Sequence, residues 1–91
     1  MKTIKSSRAV ALRVLSRVET DRAYANLLLD AELQHAAFAD PRDAALTTEL
    51  VYGVLRWQST LDWYLNQVCK QPLETTDPLL RRILRLGAYQ L

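Results

Sequence analysis

Residues 41–57 read PRDAALTTELVYGVLRW, and this segment decides the fold class. Asp40 precedes it as an N-cap, Pro41 stands at the first helical position, where its missing N–H has no cost, and Asp43 lies in the first turn. Apolar residues then recur at helical spacing over about half of the helix circumference. They are Leu46, Leu50, Val51, Val54, Leu55 and Trp57. The segment therefore predicts the central core helix of an all-helical protein.

Four further helices are predicted around this one, because the flanking segments show the same period and no alternating strand pattern. The first starts at Ser6 or Ser7, and the second spans residues 24–35. The fourth starts with the cap Ser59, and the fifth with Pro78. The residues expected in the core from the first, second and fourth helices are Ala11, Val14, Leu15, Val18, Tyr24, Ala25, Leu28, Leu29, Ala31, Leu33, Leu61, Tyr64, Leu65 and Val68. The pattern predicts an all-α bundle of about five helices.

The fifth helix carries an apolar stripe and a run of arginines. The stripe, which we expect to face the core, is Leu79, Leu80, Ile83, Leu84 and Leu86, and the arginines expected to face away are Arg81, Arg82 and Arg85. The sequence stops at LGAYQL with neither a capping residue nor a polar tail. We therefore expect the natural domain to continue past Leu91. The uncovered leucines of this helix then predict a homodimer through its apolar surface.

The composition excludes several classes of protein. The chain has 91 residues, enough for one small domain over residues 1–91. Its single cysteine, Cys69, excludes an internal disulfide and a cysteine-based zinc site, and His35 has no second ligand at metal spacing. Arg13 and Arg17 interrupt the apolar residues near the N-terminus, so the start is neither a signal peptide nor a membrane span. We expect no metal, no membrane and a cytoplasmic location.

The charge is distributed unevenly along the chain. The net charge is +2, but residues 1–22 carry +4, residues 23–56 carry −3 and the remainder carries +1. The basic beginning is compatible with an anionic partner. The residues alone favour the solvated polar face of an amphipathic helix, because charge runs are usually just solvated.

Three stretches carry a resemblance to a known family. They are RAVALRVLSRVETDRAYANLLLDAEL at 8–33, RDAALTTELVYGVLRWQSTLDWYL at 42–65 and LLRRILRLGAYQL at 79–91. Together they resemble the NusB-like N-terminal domain of the bacterial rRNA cytosine-5 methyltransferases, often called Sun, Fmu or RsmB. The resemblance covers the chain from Arg8 to Leu91. The sequences ELVYGVLRW and LGAYQL match free-standing NusB antitermination factors less well.

This resemblance implies a NusB-like helical bundle, of which residues 1–91 are a part. In the full protein, further helices and a methyltransferase domain that uses S-adenosylmethionine would follow. That enzyme would attack C6 of cytosine with a cysteine and transfer a methyl group to C5. The glycine loop and the cysteine motifs for this chemistry do not occur in this sequence. We therefore expect this chain alone to have no catalytic, cofactor-binding or metal-binding residues.

The resemblance also implies that the domain binds structured rRNA of the small ribosomal subunit through its first helix. The candidate RNA-binding residues there are Lys2, Lys5, Arg8, Arg13 and Arg17. A second candidate set is Arg81 and Arg85, with Tyr89 one turn beyond as a stacking ring. That second set could instead face the further helices of the full protein or the enzyme's own methyltransferase domain. The rival interpretation of the whole chain is a NusB-like antitermination module that works by docking a partner protein.

Gly53 interrupts the central helix and calls for a packing explanation. A glycine inside a helix costs about 1 kcal/mol relative to alanine. Glu49 and Arg56 share its side of the helix, so we expect these three residues to organise a close helix crossing. Asp43 is expected to have a structural role at the helix start, where a carboxylate is favoured.

Overall fold

The computed structural model describes residues 6–21 and 24–91. Over those residues the chain forms four α-helices: α1 (Ser7–Asp21), α2 (Ala25–Ala36), α3 (Pro41–Val68) and α4 (Pro78–Tyr89). A short 3₁₀ helix (Leu73–Thr75) lies between α3 and α4. The described residues contain no strand, which confirms the all-α prediction.

The helix starts follow the capping residues. The Asp40 carboxylate accepts the backbone N–H of Arg42 at 2.9 Å, and Pro41 opens α3. Asp77 caps α4 in the same way. At the start of α1, the Ser6 hydroxyl oxygen accepts the N–H of Ala9 at 3.0 Å, so Ser6 is the cap.

The predicted break between the third and fourth helices is wrong, because α3 runs without interruption for 28 residues. Ser59 lies exposed within the helix and does not cap a new one. The residues around it contain neither proline nor glycine, which would break a helix. Leu61 and Leu65 extend the buried stripe of Leu50 and Val54 at helical spacing, so burial of one continuous face stabilises one long helix.

The core lies where α1, α2 and α4 pack around α3. It consists of Ala11, Val14 and Leu15 from α1, Leu28 and Leu29 from α2, Leu50, Val51, Val54 and Leu61 from α3, and Leu86 from α4. Both sequential neighbours of α3 contact it, and α1 contacts every other α-helix. The central position predicted for residues 41–57 is confirmed.

Several residues expected in the core are exposed. Tyr24 precedes α2 with 77 % of its surface accessible, and Ala31 lies on the outer side of α2, where Glu32 is buried instead. On α3, Trp57 and Val68 are more than half exposed. Tyr24 and Val68 lie at the ends of helices, and the contacts with neighbouring helices decide which residues of each apolar stripe are covered.

The predicted orientation of α4 is confirmed for Leu86, which lies in the core, but it is wrong for the arginines, which face inward. Arg85 is only 8 % exposed, and the side chains of Arg81 and Arg82 are 19 % and 11 % exposed. Leu79, Leu80 and Ile83, predicted to face the core, are each about half exposed. Long arginine side chains have apolar stems that pack like hydrocarbon, and acidic partners on α1 and α3 compensate their charged ends.

Candidate nucleic-acid interface

The structure brings Arg13 and Arg17 of α1 together with the end of α2. The two arginines are one turn apart and exposed, and they line a shallow open pocket of about 290 Å³ with His35. His35 lies in the last turn of α2. We call Arg13, Arg17 and His35 the α1–α2 basic surface. Basic groups on one exposed face can contact successive phosphates of a nucleic acid.

Glu32 adjoins this surface from α2. Its Oε2 lies 4.0 Å from a terminal nitrogen of Arg17, whose side chain is 48 % exposed. The carboxylate therefore orients Arg17 while leaving about half of its side chain accessible. An ion pair of this length, in which one partner is about half exposed, contributes little to stability.

Arg8 lies on another side of α1. It is five residues before Arg13, which places the two about 140° apart around the helix. Its Nε donates to the Gln90 side-chain oxygen at 2.6 Å, just beyond the end of α4. Arg8 therefore joins α1 to α4 rather than extending the α1–α2 basic surface. Lys2 and Lys5 lie outside the described residues.

The second candidate set lies apart from the first and is engaged within the protein. Arg85 donates from Nε and a terminal nitrogen to the two carboxylate oxygens of Asp62, at 2.6 and 2.9 Å. Arg82 donates to Glu19 at 2.6 Å, and Arg81 lies 3.8 Å from the same carboxylate. We call Arg81, Arg82 and Arg85 the α4 arginine cluster. It holds α4 against α1 and α3.

Tyr89 lies in the helix packing rather than on an open stacking surface. It packs against the core, and Gly53 makes room for it, since a Cβ at that position would overlap the ring and hydroxyl of Tyr89. The close approach expected at Gly53 is thus made by a side chain. Glu49 and Arg56, expected to take part in the crossing, lie exposed on α3.

Asp43 lies where the starts of α1 and α3 meet. The Ser7 hydroxyl donates toward the Asp43 backbone carbonyl at 3.1 Å and lies 3.3 Å from its carboxylate. The Thr47 hydroxyl donates to the same carbonyl at 2.8 Å. Ser7 and Thr47 are both buried, so these bonds satisfy polar groups that would otherwise destabilise the contact between the two helices.

Arg42 pairs within its own helix start. Its side chain donates to the Asp40 carboxylate at 2.9 and 3.1 Å. These side-chain bonds, followed by the backbone bond from Arg42, hold the pKa of Asp40 below its ordinary value. The same side-chain bond raises the pKa of Arg42.

The acidic residues that organise these sites were not identified from the sequence. Glu19 lies on α1, Glu32 on α2 and Asp62 within α3. Their partners are up to 63 positions away along the chain, so no local pattern connects them. The sequence feature that could have indicated the pairs of α4 is its excess of arginines, together with single acidic residues on α1 and α3.

Two kinds of site do not occur in the described residues. No helix there is long and apolar enough to cross a lipid bilayer. The same residues contain no group of three or more histidine, cysteine, aspartate or glutamate side chains placed to bind a metal ion.

Comparison with known families identifies the fold. The family model described as "NusB family" matches residues 5–91. The chain belongs to the NusB family. Within this family its relatives include a probable ribosomal RNA small subunit methyltransferase B of Synechocystis, which is 40 % identical over 94 % of this chain. The proteins of that name from Bacillus subtilis and Pseudomonas putida are each 36 % identical, over 94 % and 92 % of the chain.

This NusB-family chain spans about a fifth of the length of those relatives, with 19 % of each covered. The similarity therefore concerns one domain of larger proteins. No solved structure matches the chain significantly.

Proposed function

We propose that this NusB-family domain is the non-catalytic RNA-binding part of a bacterial rRNA cytosine-C5 methyltransferase that uses S-adenosylmethionine. It holds structured RNA of the small ribosomal subunit and presents it to a catalytic domain of the same protein in the cytoplasm. Holding the substrate raises the effective concentration of the target base at the active site. No residue of this chain takes part in the methyl transfer.

The α1–α2 basic surface is the observation that carries the proposal. Arg13 and Arg17 project from one side of α1, and His35 completes the surface from α2. An arginine guanidinium binds phosphate oxygens through a planar fork of donors. The α4 arginine cluster is less suited to this role, because Arg82 and Arg85 already donate to carboxylates and are largely buried.

The names of the relatives support the choice of RNA. The Synechocystis, Bacillus subtilis and Pseudomonas putida proteins are named as methyltransferases of small-subunit ribosomal RNA. A domain that accompanies such an enzyme has an anionic, folded substrate within reach. Structured RNA is often recognised through its backbone and shape, for which exposed basic side chains are sufficient.

The proposal is tested by replacing Arg13 and Arg17 with alanine together. We expect the affinity for a structured rRNA fragment to fall and the slope of log affinity against log salt to flatten by about one to two units, because two phosphate contacts are lost. The loss is expected to be similar for RNAs of different sequence, since phosphate contacts do not read bases. Fluorescence anisotropy at several salt concentrations measures both quantities.

Two control variants separate this surface from net charge. Arg56→Ala removes one exposed guanidinium from α3 and, compared with Arg13→Ala, is expected to leave RNA affinity nearly unchanged. Arg17→Ala with Glu32→Gln keeps the net charge constant yet removes a phosphate contact, so it is expected to weaken binding. Circular dichroism verifies folding. Unchanged affinity and salt slope in the folded Arg13→Ala, Arg17→Ala protein would refute RNA binding through this surface.

A protein-docking module is the second candidate function, and the outer face of α4 favours it. Leu79, Leu80 and Ile83 are each about half exposed on that face, an arrangement typical of an interaction surface. Another domain, an antitermination partner or a second copy of the chain could cover it. Sedimentation of the wild type and of Ile83→Glu tests the last of these. A homodimer through this face is expected to dissociate in the variant, whereas a monomeric wild type that sediments like the variant excludes the homodimer.

A further inference from the structure

A cleft lies where the chain leaves α3 and returns into α4. It has a volume of about 480 Å³. Arg81 and Arg85 of α4 and Asp62 of α3 line it on the inside, and the exposed residues Lys70 and Glu74 stand on the connecting segment. We call it the α3–α4 cleft. It is on a different part of the molecule from the α1–α2 basic surface, with which it shares no lining residue.

The wall formed by the connecting segment is tied to α3. The backbone N–H of Leu73 donates to the Asn66 side-chain oxygen at 2.8 Å, and Leu73 is 3 % exposed. A buried leucine and a side-chain bond to the helix hold this segment in place. The cleft is therefore a feature of the folded chain and not a gap beside a loose loop.

The charges behind the cleft do not balance. The α4 arginine cluster and Lys70 contribute four positive charges, whereas three carboxylates of the described residues stand near them, those of Glu19, Asp62 and Glu74. Arg85 engages both oxygens of Asp62, and Arg82 makes the short bond to Glu19. One positive charge is left over, and it belongs to Arg81, whose distance to Glu19 is 3.8 Å.

Arg81 also retains an unused donor. Its Nε is buried from solvent and has no hydrogen-bond partner, the one such side-chain atom among the described residues. A buried charged donor without a partner destabilises a protein by the full desolvation of that group. Because Nε is enclosed by the protein, an anion in the cleft would meet the exposed part of the Arg81 side chain instead, and it would provide the missing charge there.

We propose that the α3–α4 cleft binds a phosphate group, with Arg81 as its principal donor and the Lys70 ammonium as a second donor at the rim. A phosphate has acceptor oxygens in several directions, so a guanidinium and an ammonium on different segments can bind it together. Asp62 does not oppose this, because Arg85 neutralises it, and Glu74 is exposed, so water screens it. This site goes beyond the proposed function and does not depend on it.

The phosphate could belong to a free nucleotide or to an RNA chain, and the volume accommodates a group larger than the phosphate itself. Both sources share the phosphate chemistry, and three ligands distinguish them: inorganic phosphate, uridine 5′-monophosphate, and a dinucleotide whose only phosphate is the internal diester. Uridine and acetate serve as controls for the base and for a carboxylate. Binding of the monoester alone indicates a nucleotide or an RNA end, and binding of the diester indicates an internal RNA phosphate.

The experiment is a calorimetric titration of the 91-residue chain with each ligand. Added phosphate replaces chloride in the buffer, so that the ionic strength stays constant. We expect saturable binding with one site, and a loss of affinity of at least about tenfold in Arg81→Gln, the size of effect expected when a charge-assisted bond is removed. Lys70→Gln is expected to weaken binding by a smaller factor. Since Lys70 is exposed, that variant folds even if Arg81→Gln does not.

Arg13→Gln is the matched control, because it removes a guanidinium from the α1–α2 basic surface and leaves the cleft intact. Its phosphate affinity is expected to equal that of the wild type. The inference is overturned if the wild-type chain shows no saturable phosphate binding. It is equally overturned if both Arg81→Gln and Lys70→Gln, folded, bind phosphate as the wild type does. Neither result bears on RNA binding by Arg13 and Arg17, so the two proposals fail separately.

Discussion

Replacing Arg85 with methionine tests the inward orientation of α4. From the sequence, Arg85 belongs to a polar outer face, where a substitution changes stability by no more than about 0.5 kcal/mol. In the structure it is 8 % exposed and makes a two-pronged bond to Asp62. Methionine keeps an apolar side chain of similar length. The measured change therefore reports mainly on the charged bond rather than on lost packing.

The expected magnitude follows from the burial of the two partners. Breaking a fully buried ion pair by removing one member destabilises a protein by about 3–5 kcal/mol. The Arg85 side chain is 10 % exposed, but that of Asp62 is 28 % exposed, so water partly solvates the carboxylate left behind. We therefore expect Arg85→Met to lower the free energy of unfolding by about 2–4 kcal/mol.

Urea denaturation followed by circular dichroism measures this free energy, and a double-mutant cycle assigns it to the pair. Asp62→Leu removes the unpaired carboxylate, so Arg85→Met with Asp62→Leu is expected to recover most of the lost stability. Arg81→Met is the matched control. Its ion pair is long and one of its donors is unused, so its loss is expected to be at most about 1 kcal/mol.

A change below about 0.5 kcal/mol in Arg85→Met would refute the reasoning. It would mean that Arg85 is solvated and that α4 turns Leu79, Leu80 and Ile83 toward the core. Additive effects of Arg85→Met and Asp62→Leu would likewise show that the two side chains do not interact.

Three further predictions concern packing and pH. Gly53→Ala is expected to destabilise the chain by about 1 kcal/mol, because displacing the partly buried Tyr89 ring outweighs the gain in helix propensity. In a Tyr89→Ala background the same substitution should stabilise the chain, and a stability change of the same sign in both backgrounds, measured by urea denaturation, would contradict this. Leu50→Ala is expected to lose about 2–5 kcal/mol, since Leu50 is 2 % exposed; a surface-like change in denaturant midpoint would disprove its central position. Arg42 lowers the folded-state pKa of Asp40, so the stabilisation from their contact is present above the ordinary pKa of 3.8 and is lost as pH falls through the lower, folded-state pKa. The unfolding free energy of Asp40→Asn should therefore differ from that of the wild type near neutral pH and converge with it in acid. A constant difference in unfolding free energy across that range would contradict the contact.

The candidate site was only partly readable from the sequence. The one-turn spacing of Arg13 and Arg17 is a local property of α1, so their shared face follows from helical geometry. That His35 joins them, and that Arg8 does not, depends on how α2 and α4 pack on α1. All assignments to RNA binding stay predictions, namely those of Lys2, Lys5, Arg8, Arg13, Arg17, Arg81 and Arg85.

Helix existence and the start of α3 were determined by the sequence alone. Caps such as Asp40 and Asp77, prolines at the first helical position and the apolar period act within a few residues, so the order of neighbouring residues suffices to specify them. The same local information placed Leu50 and Val54 in the core. The continuity of α3 through Ser59 required packing, because a serine that can cap a helix can also lie within one.

Only the tertiary structure decided which face of α4 is buried. Judged by hydrophobicity, Leu79, Leu80 and Ile83 should face inward, yet the arginines do, because Glu19 and Asp62 reach them from two other helices. The preference of a charged side chain for water is reversed only when a partner and an apolar path for its stem are both present. The partners of these arginines lie up to 63 positions away along the chain, so the contacts form only when the helices assemble into the bundle.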